Sequence, residues 1–148
     1  MTARPRQAPP GVARFRRNPA LERHLARAIE GEARFDAFTR GRYSTDASIY
    51  QMMPAGVVFP RSADDIAATL AVAAEHDVAV IMRGAGTSQN GQPIGDGLVV
   101  DCSRYFNDVV SFEPEHQRVT VRPGAVLEPL NAMARKEQLF FPVEPSTA

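Results

Sequence analysis

The apolar positions of this chain fall into blocks of differing period. Leu21, Leu25 and Ile29 recur at helical spacing; Asn18 can cap the run, Pro19 suits a first helical position and Gly31 ends it. Residues 32 to 56 have no clean period. Their Tyr43-Ser44-Thr45-Asp46-Ala47-Ser48-Ile49-Tyr50 stretch reads as loop with a short turn. Val57-Val58-Phe59 predicts a short strand stopped by Pro60. Ser62 with Asp65 three positions on is an acidic variant of the capping box. Ile66, Leu70 and Ala73-Ala74 then predict the buried side of a helix ending near His76, and Val78 to Met82 predicts a second, buried strand. A strand–helix–strand unit of this kind implies a parallel pair with a right-handed crossover.

Further on the pattern changes. Leu98-Val99-Val100-Asp101 is another apolar run. Val109 to Glu113 and Arg118 to Arg122 flank Pro114-Glu115-His116-Gln117, and Val119 and Val121 alternate with Thr120 and Arg122. That alternation predicts an antiparallel hairpin with one wet face. Pro123-Gly124 marks a turn; Val126, Leu130, Met133 and Ala134 support a helix to about Gln138. Leu139-Phe140-Phe141 leads into Pro142 and Pro145. The apolar run at the end predicts a sheet left unfinished.

With 148 residues and 44% hydrophobic content, one domain with a real core is expected. Formal net charge is zero, which removes any overall electrostatic case for nucleic acid. The first twenty residues are the exception. Arg4, Arg6, Arg14, Arg16 and Arg17 lie among four prolines with no acid, a basic leader whose prolines break any amphipathic helix. No apolar run is as long as a membrane span. A single cysteine excludes an internal disulfide, and Cys102 reads as a small core residue. His24, His76 and His116 show no metal-ligand spacing and read as solvated or locally packed.

The stretch with candidate chemistry is Arg83-Gly84-Ala85-Gly86-Thr87-Ser88-Gln89-Asn90-Gly91, leaving the end of the predicted Val78–Met82 strand. Gly84 and Gly86 can take φ > 0 and let a ligand approach the main chain; Thr87 and Ser88 add hydroxyls, and Arg83 adds charge. A dinucleotide fingerprint begun at Gly84 fails at Gln89, and a P-loop counted from Gly86 fails at Gln92, where lysine is required. Both motifs also need a helix to open at once, whereas Pro93, Gly95, Gly97 and a strand-like run follow. The residues alone leave two readings: a simple turn, or a backbone nest for an anion between two strands.

Four segments in order carry a resemblance. They are the 43–50 stretch; Val57-Val58-Phe59-Pro60-Arg61-Ser62-Ala63-Asp64-Asp65-Ile66; the loop from Arg83 to Gln92; and Val121-Arg122-Pro123-Gly124-Ala125 with Phe141-Pro142-Val143-Glu144-Pro145-Ser146-Thr147-Ala148. Over residues 35 to 148 the chain resembles the N-terminal part of FAD-linked oxidases of the vanillyl-alcohol oxidase and p-cresol methylhydroxylase type. The likeness is nearest to the flavoprotein D-lactate, glycolate and D-2-hydroxyglutarate dehydrogenases. It implies an α+β fold: a small parallel α/β subdomain, then the start of an antiparallel subdomain, with FAD between them. Residues 1–34 are then a leader and N-terminal helix, and 35–148 the first portion of the FAD-binding domain.

The resemblance also implies the site. Arg83, Gly84, Ala85, Gly86, Thr87, Ser88, Gly91 and Gln92 would hold the FAD diphosphate, with Arg83 either compensating charge or packing beneath the loop. Pro145, Ser146 and Thr147 would run close to the flavin, and the 43–50 stretch near its reactive side. Members with tethered FAD often place histidine where this chain has Thr87, so non-covalent FAD is expected. No catalytic residue and no metal ligand is assigned within the chain. The intact enzyme would oxidise a 2-hydroxy acid to the 2-oxo acid by hydride transfer to FAD, and the 148 residues alone would show no turnover. A non-catalytic flavin-binding module completed by a partner chain, or an alcohol or sugar-acid oxidase of the same fold, are the alternatives. Expected partners are the hydroxy acid, an unspecified electron acceptor and a homo-oligomer, with neither nucleic acid nor a transmembrane segment. The expected location is the cytoplasm, including the periphery of the inner membrane.

Overall fold

The computed structural model describes residues 18–143 and residue 145. Its elements in order are α1 (Pro19–Ala28), β1 (Glu32–Arg34), α2 (Ala37–Arg42), β2 (Gly56–Phe59), α3 (Ala63–Glu75), β3 (Val80–Arg83), β4 (Leu98–Asp101), β5 (Val109–Glu113), β6 (Arg118–Val121) and α4 (Leu127–Ala134). Four strands form one sheet in the order β1-β2-β4-β3. β4 is parallel to both neighbours, and β1 is antiparallel to β2. β5 and β6 form a separate antiparallel pair with an irregularity between Val109 and Ser111. The parallel sheet followed by an antiparallel one was therefore legible in the sequence. The basic leader lies outside the described residues.

Two faces of the sheet are covered differently. Val58, Leu98 and Val100 point into a core shared with Leu21 and Leu25 of α1, Val72 and Ala73 of α3, and Phe35, Cys102 and Phe106. On the other face Val57, Phe59 and Val99 are buried, as are Arg40, Ser44, Pro54 and Pro60 from the segments beside them. Buried Arg40 donates from Nε to the Pro54 carbonyl at 2.6 Å, drawing the 43–54 segment toward the sheet. The packed unit thus begins with α1, ahead of residue 35.

Four expectations change. β2 and β3 are not paired; β4 lies between them, so the strand–helix–strand unit skips a position. β3 is an edge strand of this sheet and only half-buried, with Met82 exposed, rather than a buried strand. The buried face of α3 is Asp65, Thr69, Val72 and Ala73, while Leu70 is 49% exposed. The stripe is displaced by one residue because a carboxylate anchors it. Asp65 Oδ1 accepts from the Glu30 amide at 2.7 Å and Oδ2 from the Arg61 amide at 2.8 Å, while Ser62 Oγ accepts from the Asp65 amide at 3.1 Å. The acid does not close the capping box on Ser62; it ties the α1–β1 connection to the start of α3. The β5–β6 hairpin is wetter than expected, with Val109, Val110 and Val121 all exposed.

Replacing Asp65 with Ala leaves two part-buried amides without an acceptor, so a loss of about 1–3 kcal/mol in unfolding free energy is expected, against less than about 0.5 kcal/mol for Asp64→Ala. Urea denaturation of the two variants checks this; equal stability would show that the Asp65 ties contribute nothing.

Candidate functional site

The glycine-rich loop leaves the carboxyl end of β3 and returns to the amino end of β4 without forming a helix. Carboxyl ends of parallel strands are where open α/β sheets bind ligands. Gly86 and Gly91 both have positive φ, at 74° and 76°. Gly84 does not, and a Cβ added there would meet nothing within 4 Å. Gly84 and Ala85 are both exposed. Ser88 Oγ donates to Gln92 Oε1 and accepts from the Asn90 amide at 3.1 Å, which folds residues 88–92 into a local turn. No acidic residue occurs between Arg83 and Gly95.

Beneath the loop sits Arg83. Its Nη1 donates to the carbonyls of Thr45 at 2.9 Å and Pro93 at 3.4 Å, and its guanidinium lies 5.0 Å from the centre of the Tyr43 ring. A Cβ on Gly86 would overlap Nη2 of the same guanidinium. The guanidinium thus packs against both the loop and the 43–50 stretch. Tyr43 is fixed in turn: its hydroxyl donates to Asp101 Oδ2 at 2.5 Å and its ring meets Phe59 edge-on. Buried Asp101 also accepts from the Ser103 amide at 2.7 Å and hydroxyl at 2.6 Å. Burial, then the bond to Asp101, pushes the Tyr43 hydroxyl above the usual phenol range.

The 43–50 stretch forms the neighbouring wall. A bridge pairs Thr45 with Gln51, and the Met52 amide donates to the Ser44 carbonyl at 2.8 Å. At the tip Asp46 Oδ1 accepts from the Ser48 amide at 2.8 Å and Ser48 Oγ from the Tyr50 amide at 3.1 Å. Asp46 Oδ2 is enclosed with no hydrogen-bond partner among the described residues. The Ser48 side chain, and to a smaller degree the Ser48 and Gly91 amides, hold the Asp46 carboxyl below its ordinary range. Gly91 lies against the Tyr50 ring, and Ile49 beside it is 95% exposed.

The structure brings Arg83, Gly84, Ala85, Gly86, Thr87, Ser88, Gly91 and Gln92 into one loop. Pro145 is exposed, and Ser146 and Thr147 lie outside the described residues. Sequence reasoning missed the part played by Tyr43 and Asp101. The available signal was the aromatic residue opening the 43–50 stretch and an acid ending an otherwise apolar run. His24 and His76 meet each other, with Nδ1 of His24 3.3 Å from Nε2 of His76, whereas His116 is exposed, its Nδ1 3.5 Å from Glu113. Among the described residues no group of three or more acids, histidines or cysteines could hold a metal, and no helix is long and apolar enough to cross a membrane.

Residues 54–148 match the model of a family described as FAD binding domain. A D-2-hydroxyglutarate dehydrogenase of Pseudomonas putida is 40% identical over 123 residues, 81% of this chain and 12% of the relative. Glycolate oxidase subunit GlcD of Bacillus subtilis is 34% identical over 124 residues, 80% of this chain and 26% of the relative. The chain thus spans an eighth to a quarter of these relatives' length. Among solved structures p-cresol methylhydroxylase superposes with a TM-score of 0.65 at 11% identity, over 82% of this chain and 25% of that one.

Tyr43→Phe leaves Asp101 one donor short, so a loss of about 1–3 kcal/mol is expected near neutral pH. Because the folded state raises the Tyr43 pKa, wild type holds this advantage fully below about pH 10 and loses it as pH rises further. Denaturation at pH 7 and above pH 10 tests both the size and the sign.

Proposed function

The chain belongs to the FAD binding domain family, and on that premise we propose that it is the diphosphate-binding part of a flavoprotein that oxidises a D-2-hydroxy acid to the 2-oxo acid. Its fold is that of p-cresol methylhydroxylase-type FAD-binding domains, and FAD is its cofactor. The observation that carries the proposed site is the loop at the carboxyl end of β3. There Gly84, Ala85 and Thr87 are exposed, a cation lies beneath and acids are absent from Arg83 to Gly95, which together fit a diphosphate.

In this reading the amides from Gly84 to Ser88 hold the diphosphate, with Thr87 and Ser88 adding hydroxyls. Gly84 contributes by lacking a side chain where the ligand approaches. Gly91 and Gln92 close the turn through Ser88. The segment from Pro145 to Thr147 runs near the flavin. Thr87 offers no imidazole for a tether, so the cofactor is held without a covalent bond. The unpartnered Asp46 Oδ2 fits a hydroxyl donor of the flavin's sugar-alcohol chain. When bound, FAD accepts the hydride from the carbon bearing the hydroxyl. Recognition of the substrate carboxylate and removal of the hydroxyl proton belong to residues outside this chain. The 2-hydroxy acid class is supported by the names of the relatives, D-2-hydroxyglutarate dehydrogenase and glycolate oxidase subunit.

Two experiments on the full-length flavoprotein test this reading. Anaerobic addition of D-2-hydroxyglutarate, D-lactate or glycolate should bleach the flavin absorbance; bleaching by alcohols or sugars alone would sink the substrate class. Gly84→Ala should leave apoprotein stability within about 0.5 kcal/mol, because the new methyl meets nothing, yet weaken FAD binding at least about tenfold by keeping the ligand off the main chain. Unchanged FAD affinity would remove the loop from the site.

A further inference from the structure

We propose that Arg83 is a positioning residue, not a phosphate ligand: its guanidinium moulds the glycine loop from below, and residue 86 must be glycine to admit it. The proposal rests on the reading that this loop holds the FAD diphosphate.

The argument begins with register. Arg83 pairs with Asp101 across β3 and β4, so both side chains leave the same sheet face. That face is also where Tyr43 reaches Asp101 and where the loop makes its return. Arg83 meets three separate stretches of chain there. Nη1 serves the Thr45 carbonyl, 38 residues away in sequence, and the Pro93 carbonyl on the returning limb. The flat of the guanidinium lies near the Tyr43 ring, and Nη2 fills the volume that a Cβ on Gly86 would claim. A planar fork with several fixed donors can satisfy this set at once; an ammonium on a flexible stem cannot.

Charge adds a second effect. Arg83 forms no ion pair with the described acids. Its charge lies on the sheet side of Gly86, and only a glycine's main chain separates it from the opposite side. An anion above the loop therefore feels this cation without touching it. The positive φ of Gly86 fits the same design, since an L side chain there would be strained as well as obstructed.

The test measures FAD affinity of the full-length protein by flavin fluorescence, with circular dichroism to confirm folding. Arg83→Lys and Arg83→Met should both weaken binding at least about tenfold, Arg83→Met by more, because lysine keeps the charge but loses the fork. Gly86→Ala should produce a comparable loss in wild type, by expelling the guanidinium. In the Arg83→Met background it should cost clearly less than in wild type, because the strain of an L residue at positive φ remains but there is no guanidinium left to expel. If Arg83→Met does not fold, Arg83→Lys and Gly86→Ala still decide the matter. Binding by Arg83→Lys equal to wild type would overturn the proposal, as would fully additive losses in the double variant. Wild-type protein that takes up no FAD would overturn the loop reading and this proposal together, whereas wild type that binds FAD while Arg83→Met binds equally well overturns this proposal alone.

Discussion

β3 and β4 are adjacent and parallel, yet no helix joins them. Parallel neighbours need a connection long enough to bring the chain back to the same end of the sheet, and that task usually falls to a helix packed on the face. Here residues 84–97 do it as bare loop. The return limb lies against the sheet, with Gly95 so near Ile81 that a Cβ would overlap its side chain. This constraint accounts for the composition of the stretch. Glycines let the backbone lie close on side chains, and Pro93 stiffens the turn. A segment that must cross a sheet without a helix has many main-chain groups not used in secondary structure, which is what an anion site requires.

The second layer explains why such a loop holds a shape. Asp101 ends β4 in a buried position and accepts three hydrogen bonds, from Tyr43 and twice from Ser103. Tyr43 is thereby fixed as a platform for Arg83, and Arg83 joins the 43–50 wall to the glycine loop. The chain of contacts runs from a sheet residue, through an aromatic ring and a guanidinium, to a glycine. Shape set before a ligand arrives reduces the ordering cost of binding.

How much of this was legible depends on where each signal resides. Val57–Phe59 and Leu98–Val100 declare themselves because both sheet faces are dry, so every position is apolar. β1 does not, since Glu32-Ala33-Arg34 has no strand pattern of its own and exists through pairing with β2. α2 was missed for a related reason: it is short, and its cap, Asp36 accepting from the Thr39 amide, is its main local signal. Leu70 misled because the helix turns toward Asp65, whose partners Glu30 and Arg61 lie outside it. The glycine positions of the site were readable, and the exclusion of both common nucleotide motifs followed from them. Arg83's placement was not, because it depends on a carbonyl in a distant loop.

The position of β3 at the edge of the described sheet has a consequence for motion. Val80–Arg83 is hydrogen-bonded to β4 alone, whereas β4 is held on both sides. Local opening costs least where a strand has one neighbour and little burial. The strand that launches the loop can therefore detach while β2 and β4 stay paired, and the cradle would lose its shape without global unfolding. In amide exchange this places Ile81 to Arg83 in a less protected cooperative unit than Val57 and Val58, and under the proposed function FAD on the loop would act as a fastener that narrows the difference between the two units.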